Sequence, residues 1–334
     1  MKKIAIIGGG SWGTALAIVL TRTRRPHRLA LWVHETDVCE ALRTRRINEV
    51  FLPGFELPRE VEVTGDLREV LRDADIELGV MPSAHARAMY SRMLPHLEPR
   101  MAVVSATKGL EPSTLERMTE VVAQVVRPKF SPRVAALSGP SFAREVARGD
   151  PTAIVIASAD RELAAQVQEE FSGPTFRLYT NDDVAGVELG GAVKNVIAIA
   201  AGVCEGLGFG HNTIAALITR GLAEMTRLAC ALGGRRDTLA GLAGMGDLVL
   251  TCTGALSRNR SVGVELGKGR RLDEVLSSTR MVAEGVGTTA ATLELARKMG
   301  VEMPITEQMH AVLYLGRSPR DAIRELMERR LKHE

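Results

Sequence analysis

Residues 190–202 read GGAVKNVIAIAAG, the composition of a buried helix, yet Lys194 and Asn195 sit inside the run. An ammonium group taken from water into an apolar interior is costly unless it is paired or neutralised. Two readings are open for Lys194: a side chain that snorkels to the surface, or a proton carrier whose pKa burial has lowered. Other stretches place polar residues on glycine-rich turns. SATKGLE puts Lys108 just after a strand pattern, and LSGPSFAREV puts Gly139 and Ser141 between a strand and a helix start. GMGDLVLTCTG sets Asp247 after a turn, and LSRNRSVG brings Ser257, Arg258 and Asn259 to a helix start. An arginine and free amides at a helix N-terminus suit a phosphate, although Ser257 is equally a plain N-cap.

These residues need elements to carry them, and the first half of the chain alternates strands with helices. Strand patterns fall at 2–8, 28–33, 61–65, 75–82, 101–107, 151–158 and 175–180, with helical patterns at 12–23, 66–73, 84–97 and 161–171. The stretch 133–147 reads as strand, turn and helix. Such alternation implies a mostly parallel sheet covered on both faces, with ligands met by the loops at the carboxyl ends of the strands. From about Val184 the strands vanish and helical patterns take over at 184–205, 212–232, 258–268, 285–299 and 304–315. The expected fold is therefore an N-terminal α/β, Rossmann-like doubly wound sheet over residues 1–180, then an all-α domain over 181–334, with a cleft between them.

The first strand ends in IAIIGGGSWGTALA, which contains Gly8-x-Gly10-x-x-Gly13 at a strand-to-helix junction. That context is what a dinucleotide fingerprint requires. One glycine makes the tight turn, the second admits the pyrophosphate, and the third allows close helix–strand packing. At the end of the second strand, His34 and Glu35 favour opposite answers on a ribose 2′-phosphate, so the residues leave NAD and NADP both open.

Bulk properties narrow the class. The chain has 334 residues, 45% of them hydrophobic and 25% charged, with a formal net charge of +3. This is ordinary for a globular protein and does not suggest nucleic-acid binding. The arginines are scattered in short surface runs. Cys39, Cys204, Cys230 and Cys252 form no CxxC pair and no Cys/His cluster, so no metal site and reduced thiols in a cytoplasmic protein are expected. Glycines interrupt the first apolar run too early for a signal peptide, and no uninterrupted apolar stretch reaches membrane-span length, so no membrane insertion is expected.

Taken in order, GGGSWGTALA, FLPG, SATKGLE, SGPSFAREV, ELGGAVKNVIAIAAG, GLGFGHNTIAALITRGLAEM, GLAGMGDLVLTCTGALSRNRSVG, VAEGVGTT and VEMPITE resemble the bacterial NAD(P)-dependent sn-glycerol-3-phosphate dehydrogenases over residues 3 to about 325. The resemblance implies interconversion of dihydroxyacetone phosphate and glycerol 3-phosphate, with Lys194 as general acid/base, Asp247 as its carboxylate partner, and Lys108 meeting substrate and cofactor. It implies that Gly139, Ser141, Ser257, Arg258 and Asn259 bind substrate. It implies that Ser11, Trp12, His34, Ala143, Arg258, Val282 and Glu284 touch the cofactor, NADP or NAD. A homodimer and a supply of glycerol 3-phosphate for phospholipid synthesis are further implications. Val33 departs from many relatives, which carry glycine there, and Met81 replaces a small or branched apolar residue. A two-domain β-hydroxyacid dehydrogenase is the alternative enzyme, but it leaves SRNR without a role. A non-catalytic dinucleotide sensor would have no need of the lysine–carboxylate set.

Overall fold

The computed structural model describes residues 1–278 and 280–330. In chain order the first half runs β1 (Lys2–Ile7), α1 (Ser11–Leu20), β2 (His27–Trp32), α2 (Thr36–Thr44), a small antiparallel ribbon β3 (Ile47–Asn48) and β4 (Leu52–Glu56), β5 (Val61–Thr64), α3 (Leu67–Leu71), β6 (Ile76–Gly79), α4 (Ala86–Met93), β7 (Ala102–Ser105), α5 (Met118–Val126), β8 (Arg133–Ser138), α6 (Ala143–Arg148), β9 (Thr152–Ala157), α7 (Arg161–Phe171) and β10 (Phe176–Asn181). Eight of these strands form one sheet in the order β10-β9-β8-β7-β6-β1-β2-β5. Neighbours are parallel except at β8–β9, where Leu137 opposes Ile156 in antiparallel register. There α6 has only six residues, Gly149 (φ 97°) stops it, and the chain turns back instead of crossing over.

The order of strands reverses between β1 and β6, and in such sheets the crevice at that reversal is where ligands sit. The sheet is buried on both faces, which is why its central strands are apolar at successive positions and not alternating. One face packs Ile4, Ile6, Leu29, Leu31 and Val104 against α1. The other packs Ala5, Ile7, Ala30, Trp32 and Val103 against α4 and α5. The ribbon β3–β4, which holds the FLPG motif, is absent from the expected elements. Its β3 spans two residues, too few to show a period.

The second half is helical: α8 (Val184–Gly206), α9 (His211–Ala231), α10 (Arg236–Ala240), α11 (Asp247–Thr253), α12 (Arg258–Gly267), α13 (Leu272–Ser277), α14 (Glu284–Lys298), α15 (Pro304–Tyr314) and α16 (Pro319–Met327). Four of these helices, α10, α11, α13 and α16, are absent from the expected elements: α10, α11 and α13 are too short to show a helical period, whereas α16 is amphipathic and follows the last expected helix. The core of this half is α8, buried from Gly186 through Cys204 because other elements pack on every side of it. By length and composition α8 is the one described helix that could cross a membrane, and here its whole apolar window lies inside protein. Helix α12 approaches α8 backbone to backbone: a β-carbon at Gly202 would lie 2.0 Å from the Arg260 carbonyl oxygen, and one at Gly263 2.0 Å from that of Ile199. Small residues at this crossing bring the start of α12 beside the middle of α8.

Candidate active site

Lys194 does not snorkel. Its side chain is 7% exposed and its Nζ donates to Asp247 Oδ1 at 2.5 Å and to Thr251 Oγ1 at 2.8 Å. Asp247 is 1% exposed and holds a second cation, accepting from Lys108 Nζ on Oδ2 at 2.8 Å. One carboxylate thus sits between two ammonium groups, one from each half of the chain. Burial is the largest influence on Lys194 and lowers its pKa to about 8. Asp247 opposes that shift, and the charge on Lys108 reinforces it.

Local structure explains the placement. A single π-helical turn, Leu242–Gly246, precedes α11 and makes Asp247 the first residue of that helix, where the dipole favours a carboxylate. Thr251 lies four residues on, hence on the same face of α11. Its hydroxyl proton is committed to the Asp247 carbonyl at 2.6 Å, so its oxygen is left as an acceptor for Lys194. The paired glycines of GGAVKN permit the approach: a β-carbon at Gly190 would lie 2.5 Å from the Ala243 carbonyl oxygen, and one at Gly191 2.5 Å from Ser138 Oγ. Lys108, just beyond β7, also donates to the Gly139 carbonyl at 2.8 Å and reaches Ser141 Oγ at 3.4 Å. Ser138 Oγ, at the end of β8, is buried with no partner among the described residues.

The start of α12 joins this set through amides. Asn259 Nδ2 donates to Asn195 Oδ1 at 2.9 Å, while its own oxygen accepts from the Gly285 amide at 2.9 Å. Ser257 is buried and caps α12, its hydroxyl accepting from the Arg260 amide, as the plain reading has it. Arg258 is exposed at the first position of that helix, with the Glu284 carboxylate close enough to act on it electrostatically. Glu284 opens α14 and binds across the two halves, accepting from the Ser83 amide at 3.1 Å and the Ser83 hydroxyl at 2.7 Å.

The glycine loop lies at the reversal of strand order. Gly8 has φ 133°, and a β-carbon there would lie 2.3 Å from the Val80 carbonyl oxygen. At Gly13 a β-carbon would fall 1.8 Å from the Gly8 carbonyl oxygen, whereas at Gly10 it would meet nothing within 4 Å. The middle glycine therefore faces open space, beside the first amides of α1, which have no acceptor within the helix. Trp12 Nε1 is buried nearby without a partner among the described residues. An open cradle of amides with an orphaned donor fits a dinucleotide pyrophosphate. Ser11 Oγ is used internally, donating to the Phe51 carbonyl at 2.6 Å.

Other residues singled out in the sequence lie apart from the lysine–carboxylate set. His34 is exposed at the end of β2, and Val282 is 47% exposed in the segment before α14. Ala143 begins α6 and is half buried against the sheet core. Val33 is buried with its methyls filling the space beside Gly9, so its effect on the site runs through the loop backbone and not through a pocket wall. Met81 is likewise packing, among Trp32, Met89 and Tyr90. Three participants were not assigned from sequence: Thr251, Asn195 and Ser83. The i, i+4 spacing from Asp247 could have flagged Thr251. Nothing local flags Ser83, whose partner is 201 residues away.

Two family models tile the chain. One, described as the NAD-dependent glycerol-3-phosphate dehydrogenase N-terminus, matches residues 3–164, and its C-terminus counterpart matches 183–324. A Koribacter versatilis protein named glycerol-3-phosphate dehydrogenase [NAD(P)+] is 62% identical over 98% of both chains. A protein of the same name from Acidobacterium capsulatum is 55% identical, again over 98% of both. The crystal structure of a Coxiella burnetii glycerol-3-phosphate dehydrogenase superposes with a TM-score of 0.93 at 41% identity, covering 98% of this chain and 99% of that one. A ketopantoate reductase from Ralstonia eutropha, at 17% identity and a TM-score of 0.61, shares the fold alone. With both halves matched and the whole length covered, the chain belongs to the NAD-dependent glycerol-3-phosphate dehydrogenase family.

Proposed function

We propose that the protein interconverts dihydroxyacetone phosphate and sn-glycerol 3-phosphate with a nicotinamide dinucleotide, NAD or NADP. The observation that carries this reading is the Lys194–Asp247–Lys108 set, its first two members buried and Lys108 partly so, at the junction of the dinucleotide-type sheet and the helical half. When bound, the nicotinamide supplies or accepts the hydride. The chain's own residues do the rest. Lys194, charged, donates a proton to the oxygen of the ketone as it becomes an alcohol, and neutral Lys194 takes it back in the reverse direction. Asp247 and Thr251 each accept one hydrogen from the ammonium, which leaves its third aimed elsewhere. Lys108, fixed by Asp247 and the Gly139 carbonyl, adds positive charge where negative charge develops on the substrate oxygen. Arg258 and the first amides of α12 receive the substrate phosphate, with Asn259 and Ser257 holding that helix start in place. Gly8, Gly10, Ser11, Trp12 and Gly13 hold the dinucleotide pyrophosphate. His34 faces its adenosine end, and Ala143, Val282 and Glu284 complete its surroundings. Residues 1–180 act as the dinucleotide domain and 181–334 as the substrate domain. A cytoplasmic homodimer supplying glycerol 3-phosphate for phospholipid synthesis is the cellular role that this reading supports.

The direct test is loss of reduced-nicotinamide absorbance when the purified protein meets dihydroxyacetone phosphate with NADH or NADPH. Turnover that depends on the substrate phosphate is expected. No turnover, in protein that binds either dinucleotide, would sink the substrate assignment. Arg258→Ala is expected to raise KM for the phosphorylated ketone by about tenfold or more, the scale of one charge-assisted contact. Its effect on unphosphorylated dihydroxyacetone should be small, and equal losses on both would remove the phosphate contact. Thr251→Val deletes an acceptor that favours charged Lys194. Its pH profile for ketone reduction is expected to break at lower pH than that of the parent, and an unmoved break would mean that Thr251 does not tune the lysine.

A further inference from the structure

The residues at the end of β2 leave NAD and NADP open, but the structure brings one more charged group to that place from the other half of the chain. Arg280, in the segment between α13 and α14, reaches back to the first turn of α2. Its guanidinium donates from Nη1 to Asp37 Oδ2 at 2.9 Å and from Nη2 to Asp37 Oδ1 at 3.4 Å. It also stands 5.9 Å from the centre of the Phe51 ring, and Phe51 in turn accepts the hydroxyl of Ser11 at the mouth of the glycine loop. Glu35 lies close enough to act on it electrostatically. His34, exposed, is three residues before Asp37.

In a sheet of this type the residue at the end of the second strand reads the adenine ribose: a carboxylate takes the 2′-hydroxyl, and an arginine accommodates a 2′-phosphate. Here the arginine is present, but it is supplied by the helical half and occupied by a carboxylate. Both members of the pair are more than half exposed, so the pair is weakly held and its partners can exchange. A phosphate dianion offers a planar guanidinium more charge and more acceptor oxygens than a carboxylate does.

We propose that Arg280 is the determinant that admits the 2′-phosphate of NADP, with Asp37 as the competing anion that holds it in reserve and lets NAD bind as well. The proposal rests on the dinucleotide reading of the glycine loop. It also makes cofactor choice a property of both halves of the chain, because the reading arginine and the glycine loop sit on different ones.

The test is equilibrium binding of NADPH, NADH, 2′-phospho-ADP-ribose and ADP-ribose to the intact protein and to Arg280→Gln and Asp37→Asn, by calorimetry, with no turnover involved. Arg280→Gln is expected to weaken NADPH and 2′-phospho-ADP-ribose about tenfold, the worth of one charge-assisted contact, and to change NADH and ADP-ribose by less than about twofold. Asp37→Asn frees the arginine and is expected to tighten only the two phosphorylated ligands. Unchanged ratios in both variants would overturn the assignment while leaving the dinucleotide site standing. Equal weakening of all four ligands by Arg280→Gln would also overturn it, leaving Arg280 a general strap. A parent protein that binds none of the four would bring down the glycine-loop reading itself, and Arg280 with it.

Discussion

Lys194→Ala lowers turnover by about 10²-fold or more, the usual worth of a positioned general acid, while dinucleotide binding survives. The two effects separate because Lys194 lies in the middle of α8 and the glycine loop lies between β1 and α1, in the other half of the chain. Lys194→Arg sharpens the test. A guanidinium keeps the positive charge beside Asp247 but does not release a proton in the working pH range, so that variant should be nearly as slow. If arginine restored the rate, the side chain would be acting as a charge and not as a proton donor. The parent enzyme's pH dependence carries the same information with a definite sign. With a pKa of about 8, Lys194 is mostly charged below that pH and mostly neutral above it. Ketone reduction needs the charged form, so its kcat/KM should fall as pH rises through about 8. Alcohol oxidation needs the free amine, so its kcat/KM should fall as pH drops through the same value. A profile with no break near there in either direction, or alanine and parent profiles that run parallel, would take Lys194 out of the proton path.

What could be seen in the sequence divides by the range of the interaction. The parallel sheet and the helical second half were legible because each strand and long helix announces itself within its own ten to twenty residues, as in the apolar run of β1 or the length of α8. The antiparallel turn at β8–β9 was not, because it depends on where the six-residue α6 stops. Lys194 stood out as a charge in an apolar run, but its partners had to come from elsewhere: Asp247 is 53 residues on and Lys108 is 139 residues before that aspartate. Only the resemblance tied the three together, and the structure then gives the physical account, with small residues at Gly190 and Gly191 letting the π turn and β8 close on the lysine. The contacts between the two halves, Ser83 with Glu284 and Asp37 with Arg280, leave no local trace at all.

The largest stability effect is expected away from the chemistry, at Glu77. It lies on β6 in the middle of the sheet, opposite Ala5 on one side and Val103 on the other, and it is wholly buried among apolar side chains. Its Oε2 accepts a long hydrogen bond of 3.3 Å from Tyr90, and its Oε1 has no partner among the described residues. Burial outweighs that single bond and pushes its pKa from 4.5 up to about 8. The folded protein therefore keeps the proton over a range in which the unfolded chain loses it. Below pH 4.5 both states are protonated and Glu77 costs nothing electrostatically. Between 4.5 and 8 the unfolded state gains by ionising, and folding stability falls by up to about 1.4 kcal/mol for each pH unit. Above 8 the loss is complete. Glu77→Gln cannot ionise, so it is expected to match the parent near pH 4.5 and to be more stable by several kcal/mol at pH 8. Denaturant unfolding followed by tryptophan fluorescence suits the comparison, because Trp12 and Trp32, the only tryptophans, both lie in the sheet half and Trp32 shares Glu77's apolar cluster. Turnover at neutral pH should be unchanged, since Glu77 touches neither the lysine set nor the glycine loop. If parent and Glu77→Gln lose stability in parallel from pH 5 to 8, the carboxyl is already ionised in the fold, and burial does not raise its pKa.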